Sequence, residues 1–218
     1  MTAILVSIII ETKLIIDCFI ETMNKKEIIW REILSQAIEN KRFEFTQKQI
    51  AQKYKFSLST VFNALKVPRN SGCIETGGRG FKVVDVEKWL YLWATFRNLQ
   101  KDIIYQTHID KNVKNIEGEM PPHIMFGAFT AYLKKYKDAP ADYDKVYVYS
   151  EKEKLADIKS RFPFKKGTTN LIVISSDEWQ ENFGKITPDC QTFVDLWNLP
   201  EWYAKDFLNA LKQKLFHS

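Results

Sequence analysis

Two sets of residues in this chain have types and spacings that carry chemistry. The first is polar and basic: Ser57, Ser59, Thr60 and Asn63, then Lys66 and Arg69, with Arg79 beyond a pair of glycines. Short hydroxyl and amide side chains on one side of a helix can read base edges, and asparagine can hold adenine with two hydrogen bonds. Lysine and arginine at the helix end lie where phosphates would pass. An arginine on a glycine-rich turn can enter a minor groove or clamp a phosphate. The second set is acidic: Asp142 and Asp144 ahead of the apolar run 146–149, and Asp195 within residues 192–197. Three converging carboxylates would hold two magnesium ions for in-line attack on a nucleotide phosphate. Strand alternation places Asp142 and Asp144 on the side of Val146 and Val148.

The elements that must position the first set follow from local signals. Trp30, Ile33, Leu34, Ala37 and Ile38 recur at helical spacing. Phe43 and Phe45 alternate with Arg42 and Glu44 as a short strand. Thr46 with Gln49 three residues on predicts a capping box, opening a helix over residues 47–54 with Ile50, Ala51 and Tyr54 on one face. Lys55 and Phe56 make a tight turn, and Ser57 caps a second helix. Leu58, Val61, Phe62 and Leu65 predict the buried face of that helix, which leaves Ser59, Thr60 and Asn63 open; Pro68 ends it. Residues 73–75 and 81–84 alternate like strands around a turn containing Gly77, Gly78, Arg79 and Gly80. Two helices followed by a strand, a glycine-rich turn and a strand predict a winged helix-turn-helix. Asp85 then caps a helix carrying Val86, Trp89, Leu90, Trp93 and Phe96 on one face.

The second set lies in a different kind of sequence. Residues 101–122 are polar and end in two prolines, which predicts a linker, with Ile103, Tyr105 and Thr107 alternating as one strand. Beyond it, residues 126–136 and 150–161 read as helices, and 146–149, 171–174 and 192–197 as strands. Asn198 and Pro200 open a last helix with Ala204, Phe207, Leu208, Leu211 and Leu215 on one face. Strands alternating with helices predict a small α/β domain with a mixed sheet, so the chain as a whole reads as α+β. The expected organisation is an extension (1–24), a winged helix (25–100), a linker (101–122) and the α/β domain (123–218).

Charge and composition narrow the function classes. Of 218 residues, 45% are hydrophobic and 27% charged, which excludes a disordered chain. The net charge of +5 divides into −2 over residues 1–24, +7 over 25–100 and 0 over 101–218. A basic block beside a neutral one predicts that the first meets a polyanion. The apolar run 3–20 is interrupted by Glu11, Lys13 and Asp17 and has neither a basic start nor a small-residue cleavage site, so neither a membrane span nor a signal peptide is expected. It reads as an extra helix or strand, or else translation begins at Met23. Cys18, Cys73 and Cys190 stand far apart and the three histidines have no ligand spacing, so no zinc set, disulfide framework or cofactor is expected. A reducing cytoplasm is the expected compartment.

Two resemblances follow. Phe126-Gly127-Ala128, thirteen residues, then Asp142-Tyr143-Asp144 is similar to the nucleotidyltransferase signature, with Asp195 as the third carboxylate. Ala128 and Lys145 depart from that pattern: the first replaces a glycine or serine that lines the triphosphate approach, the second sets a cation beside the metals. Residues 165–169 share a lysine, a glycine and threonines with a phosphate loop, but in the wrong order, and read as a basic turn. The run 27–215 as a whole resembles the AbiEi-like family of antitoxin-type transcriptional regulators. The matching stretches are the helix-turn-helix of residues 46–65 with its glycine turn, residues 90–97 and residues 191–200; Lys55 stands where the turn glycine is usual. The resemblance implies an N-terminal winged helix on double-stranded operator DNA. It also implies a C-terminal domain, shaped like a nucleotidyltransferase without the activity, that is needed for antitoxicity, and a nucleotidyltransferase toxin as partner. Nucleotidyl transfer by Asp142, Asp144 and Asp195 themselves is the alternative reading.

Overall fold

The computed structural model describes residues 25–78 and 80–216. The extension read as a helix or strand therefore lies outside the described residues. The chain is mixed α+β with two sheets, and it divides into two compact units, one ending at Val86 and one beginning at Glu87. Among the described residues no helix is long and apolar enough to cross a membrane.

In the first unit helix α1 covers residues 25–39. It is followed by β1 (Glu44–Phe45), α2 (Gln47–Tyr54), α3 (Leu58–Ala64), α4 (Lys66–Asn70), β2 (Ile74–Gly77) and β3 (Gly80–Val83). The local signals act as their chemistry requires. The Gln49 N–H donates to the Thr46 hydroxyl and the Thr46 N–H donates to the Gln49 side chain, each at 3.2 Å, closing the capping box. Lys55 ends α2 in the left-handed region at φ 53°, a conformation that costs a residue with a Cβ about 1–2 kcal/mol. Pro68 does not stop the helical path. The chain turns at Leu65 and restarts as α4, with Pro68 in the first turn, where its missing N–H leaves no bond unmade.

Helix α1 fixes the next two helices. Its Ile29, Trp30, Ile33, Leu34 and Ala37 are buried. The Trp30 indole N–H donates to the Ala64 carbonyl at 2.8 Å, tying down the end of α3. Glu32 accepts from the Tyr54 hydroxyl at 2.6 Å and from Lys53 at 2.5 Å, tying down α2. The three strands form an antiparallel sheet in the order β1-β3-β2, with Phe45 stacked on Phe81 at 5.7 Å. Gly77 pairs with Gly80 at the hairpin end. A Cβ on Gly80 would overlap the Phe45 carbonyl oxygen, so the close approach of β3 to β1 requires glycine there.

Helix α5 (Val86–Phe96) starts at the last residue of the first unit and otherwise belongs to the second, which continues with β4 (Ile103–Thr107), α6 (Val113–Gly118), β5 (Met125–Phe126) and α7 (Ala128–Tyr136). Then come β6 (Val146–Ser150), α8 (Leu155–Arg161), β7 (Leu171–Ser175), α9 (Asp189–Asn198) and α10 (Ala204–Phe216). The sheet order is β4-β7-β6-β5; β6 and β7 run parallel and the outer strands antiparallel. Every residue of β6 is buried, because helices cover both faces. Val146 and Val148 pack with Ile116 of α6 and Ile158 of α8. On the other face Tyr147 meets Phe129 of α7, whose ring also contacts Tyr203 and, at 5.0 Å, Phe207 of α10.

Three sequence expectations need correction here. Residues 101–122 are not a linker: they hold β4, paired with β7, and α6, whose Ile116 is in the core. Residues 192–197 are not a strand but the middle of α9. Asp189 through Leu196 are all buried, the polar Asp189, Thr192 and Asp195 included, and the consecutive Thr192, Phe193 and Val194 mimic a strand. Phe126 belongs to β5, and the helix after it starts at Ala128.

Candidate functional site

The α3 side of the first unit holds the polar and basic set. Its buried face is Val61 and Ala64, continued by Leu65. Leu58 and Phe62, expected inside, are 56% and 42% exposed. The bond from Trp30 to the Ala64 carbonyl holds the helix in this rotation. The open side therefore carries Leu58, Ser59, Phe62 and Asn63, with Lys66 following.

The seven expected contact residues fare differently. Ser59, Asn63 and Lys66 are exposed. Ser57 is exposed but spends its oxygen on the helix end, accepting from the Thr60 N–H at 3.1 Å. Its Oγ also lies 2.8 Å from the Ser59 hydroxyl and 2.9 Å from that of half-buried Thr60, so the three hydroxyls form one cap cluster. Arg69 is half-buried, and its Nε has no hydrogen-bond partner among the described residues. Its guanidinium lies 5.0 Å from the Phe62 ring centre, and the Lys66 ammonium 5.6 Å, so one exposed aromatic ring orients two cations. Arg79 lies outside the described residues.

Of the described members of this set, Arg69 alone borders the groove between α3 and the hairpin. Gln47 and Lys48 from α2, Leu58 and Phe62 from α3, Arg69 from α4 and the glycines of the β2–β3 hairpin line it. The sequence reading missed Leu58, Phe62, Gln47 and Lys48. The first two were hidden by the assumption that every apolar residue at helical spacing faces inward. The last two carry one legible signal, since the first turn of a capped helix faces solvent beside the next element.

The acidic set does not come together. Asp142 and Asp144 are exposed in the loop before β6, where Asp144 accepts from the Tyr203 hydroxyl. Asp195 is buried on α9. It accepts from the Tyr149 hydroxyl at 2.6 Å and lies 3.7 Å from the Arg97 Nε. Burial, then the Asp195 charge, pushes the Tyr149 hydroxyl well above its ordinary range, so it remains a donor. Lys145, the departure from the transferase pattern, bonds Glu201 at 2.5 Å, and Tyr147 bonds the same oxygen at 2.9 Å. Among the described residues no group of three or more histidine, cysteine, aspartate or glutamate side chains could hold a metal ion. Ala128 takes φ 46°, a left-handed conformation usually given to glycine, directly after Gly127.

Comparison of the chain with protein-family models, with curated proteins and with solved structures gave no match.

Proposed function

We propose that the chain is a sequence-specific DNA-binding transcriptional regulator of the AbiEi-like antitoxin type, acting in the cytoplasm. In this reading the first unit is a winged helix, α3 the recognition helix and the β2–β3 hairpin the wing. The element order and the antiparallel β1-β3-β2 sheet support it. The observation that carries it is the groove shared by α3 and the hairpin, with Lys48 and Arg69 on its walls and Asn63 exposed on α3. The +7 charge of residues 25–100 supplies the long-range attraction to phosphate.

Each residue then has a role. Asn63 and Ser59 read base edges, and Leu58 and Phe62 contact thymine methyl groups. Lys66, Arg69 and Arg79 meet phosphates. Ser57 and Thr60 hold the start of α3 in shape. The second unit is the regulatory part, and its partner is a nucleotidyltransferase toxin. Duplexes enriched from a randomised pool by the full chain provide the test. Asn63→Ala should lower affinity for the selected site by about 1–3 kcal/mol while leaving scrambled DNA unchanged. Lys66→Ala should weaken both and reduce the salt slope by about one. Equal effects of the two substitutions on both duplexes would refute the assignment of α3.

A further inference from the structure

The loop that joins α8 to β7 is a projection that the DNA reading leaves unused. Pro163 through Thr168 are all exposed, and Phe164 is 74% exposed. The loop is nevertheless tied down on both sides of that ring. The Tyr105 hydroxyl donates to the Phe162 carbonyl at 2.7 Å, and the Thr107 hydroxyl to the Pro163 carbonyl at 3.2 Å. Directly after Phe164, the Lys165 N–H donates to the Thr107 hydroxyl at 2.8 Å, and the Lys165 carbonyl accepts from the His108 N–H at 3.3 Å. The backbone bonds at residues 162, 163 and 165 fix Phe164 in water. A ring held in place before binding loses little freedom when a partner covers it.

The same loop is the basic part of a block that sums to zero. No aspartate or glutamate occurs between Asp157 and Asp177, a stretch that holds Lys159, Arg161, Lys165 and Lys166. Arg161 bonds Asp157 at 3.0 Å, and Lys165 bonds Asp110. Lys159 lies 5.3 Å from the Tyr105 ring centre. Lys159 and Lys166 are exposed, and neither has an acidic partner among the described residues. An exposed ring with unneutralised cations matches a ligand that offers both a π face and negative charge. A nucleic-acid strand offers both at every residue, and a base of any identity can stack on an aromatic ring. In a duplex each base is already stacked on its neighbours, so the ring favours a single strand. A bilayer fits less well. Phe164 is the one large apolar side chain this loop exposes, and membrane anchoring takes much more buried hydrocarbon than one ring.

We infer that the α8–β7 loop binds single-stranded nucleic acid, with a base stacked on Phe164, a phosphate on Lys166 and Lys159 adding attraction. The site lies in the second unit and is independent of whether the first unit binds duplex DNA. The test is fluorescence anisotropy of the full chain with labelled oligothymidylate and oligouridylate of about twelve nucleotides, beside a duplex of that length. At least one single strand should bind saturably and more weakly as salt rises. Phe164→Ala should lower that affinity roughly tenfold or more, Phe164→Trp should keep it, and Phe164→Leu, apolar without a π face, should resemble the alanine variant. Lys166→Ala should flatten the single-strand salt slope. All four change exposed side chains, and melting curves confirm folding. Duplex affinity should be unchanged in each, whereas Lys66→Ala in the first unit should weaken the duplex. Anionic phosphatidylglycerol vesicles serve as the competing ligand. No saturable binding of either strand, undiminished single-strand affinity in the folded Phe164→Ala variant, full affinity in Phe164→Leu, or Phe164-dependent binding of the vesicles in place of the strands would overturn the inference.

Discussion

Asp195 sits in the middle of a helix buried along most of its length, with the Tyr149 hydroxyl on one carboxylate oxygen and Arg97 beside the other. Arg97 also pairs with Asp102 and reaches the Tyr149 hydroxyl at 3.4 Å, so four side chains share one network. This arrangement is structural, because every group in it answers another group of the same unit. Asp195→Ala would leave the Tyr149 hydroxyl and part of the Arg97 charge unanswered in a desolvated place. The expected loss is about 3 kcal/mol, read as a lower urea midpoint. A variant as stable as the parent would contradict the network. The same scale explains why Leu58 and Phe62 escaped the sequence reading. An apolar side chain states that burial is favourable, but not whether a partner is present, and α3 finds its partner in Trp30, 34 residues away.

At the scale of elements, the legible parts were those set by near neighbours. Thr46 and Gln49 specify the start of α2, and Ser57 the start of α3, through bonds spanning three residues. Residues 192–197 were misread because the β-prone Thr192, Phe193 and Val194 outweighed the helical spacing of Asp189, Thr192, Asp195 and Asn198. Where β4 belongs was equally hidden, since its pairing with β7 joins residues more than sixty positions apart. The hairpin supplies a sharp prediction: Gly80→Ala pushes a methyl group against the Phe45 carbonyl and separates β3 from β1. Thermal unfolding should show about 1–3 kcal/mol lost, whereas Gly78→Ala, at φ 53° with open space around it, loses only the backbone penalty of about 1–2 kcal/mol.

A second element-scale prediction concerns the loops around β4 and β7. Asp110 accepts from Lys165 and lies 2.9 Å from the His108 ring, while the other His108 nitrogen lies 2.7 Å from the Thr168 carbonyl. The Lys165 bond, then the His108 bond, holds the Asp110 carboxyl below its ordinary value of 3.8. A depressed folded value means that the stabilisation is complete well above pH 3.8 and is lost as pH falls through the lower folded value. Asp110→Asn should therefore melt lower than the parent at pH 7, with the gap closing in acid. The effect is small and salt-sensitive because the group is exposed. A gap that stayed constant across the series would contradict the pairing.

For the molecule as a whole, the block of +7 contains the groove of α3 and the hairpin and runs on through α5 of the second unit, while the neutral block contains the mixed sheet. Binding of duplex DNA by the full chain, followed by fluorescence anisotropy across a salt series, tests this most directly. Each phosphate contact releases condensed counterion, so the logarithm of affinity should fall linearly with the logarithm of salt, with a slope of roughly −0.9 per contact. The account predicts a steep slope that becomes shallower by about one unit in Lys66→Ala and again in Arg69→Ala. A folded chain that binds no duplex in a salt-dependent way, or one whose slope ignores both substitutions, would contradict it.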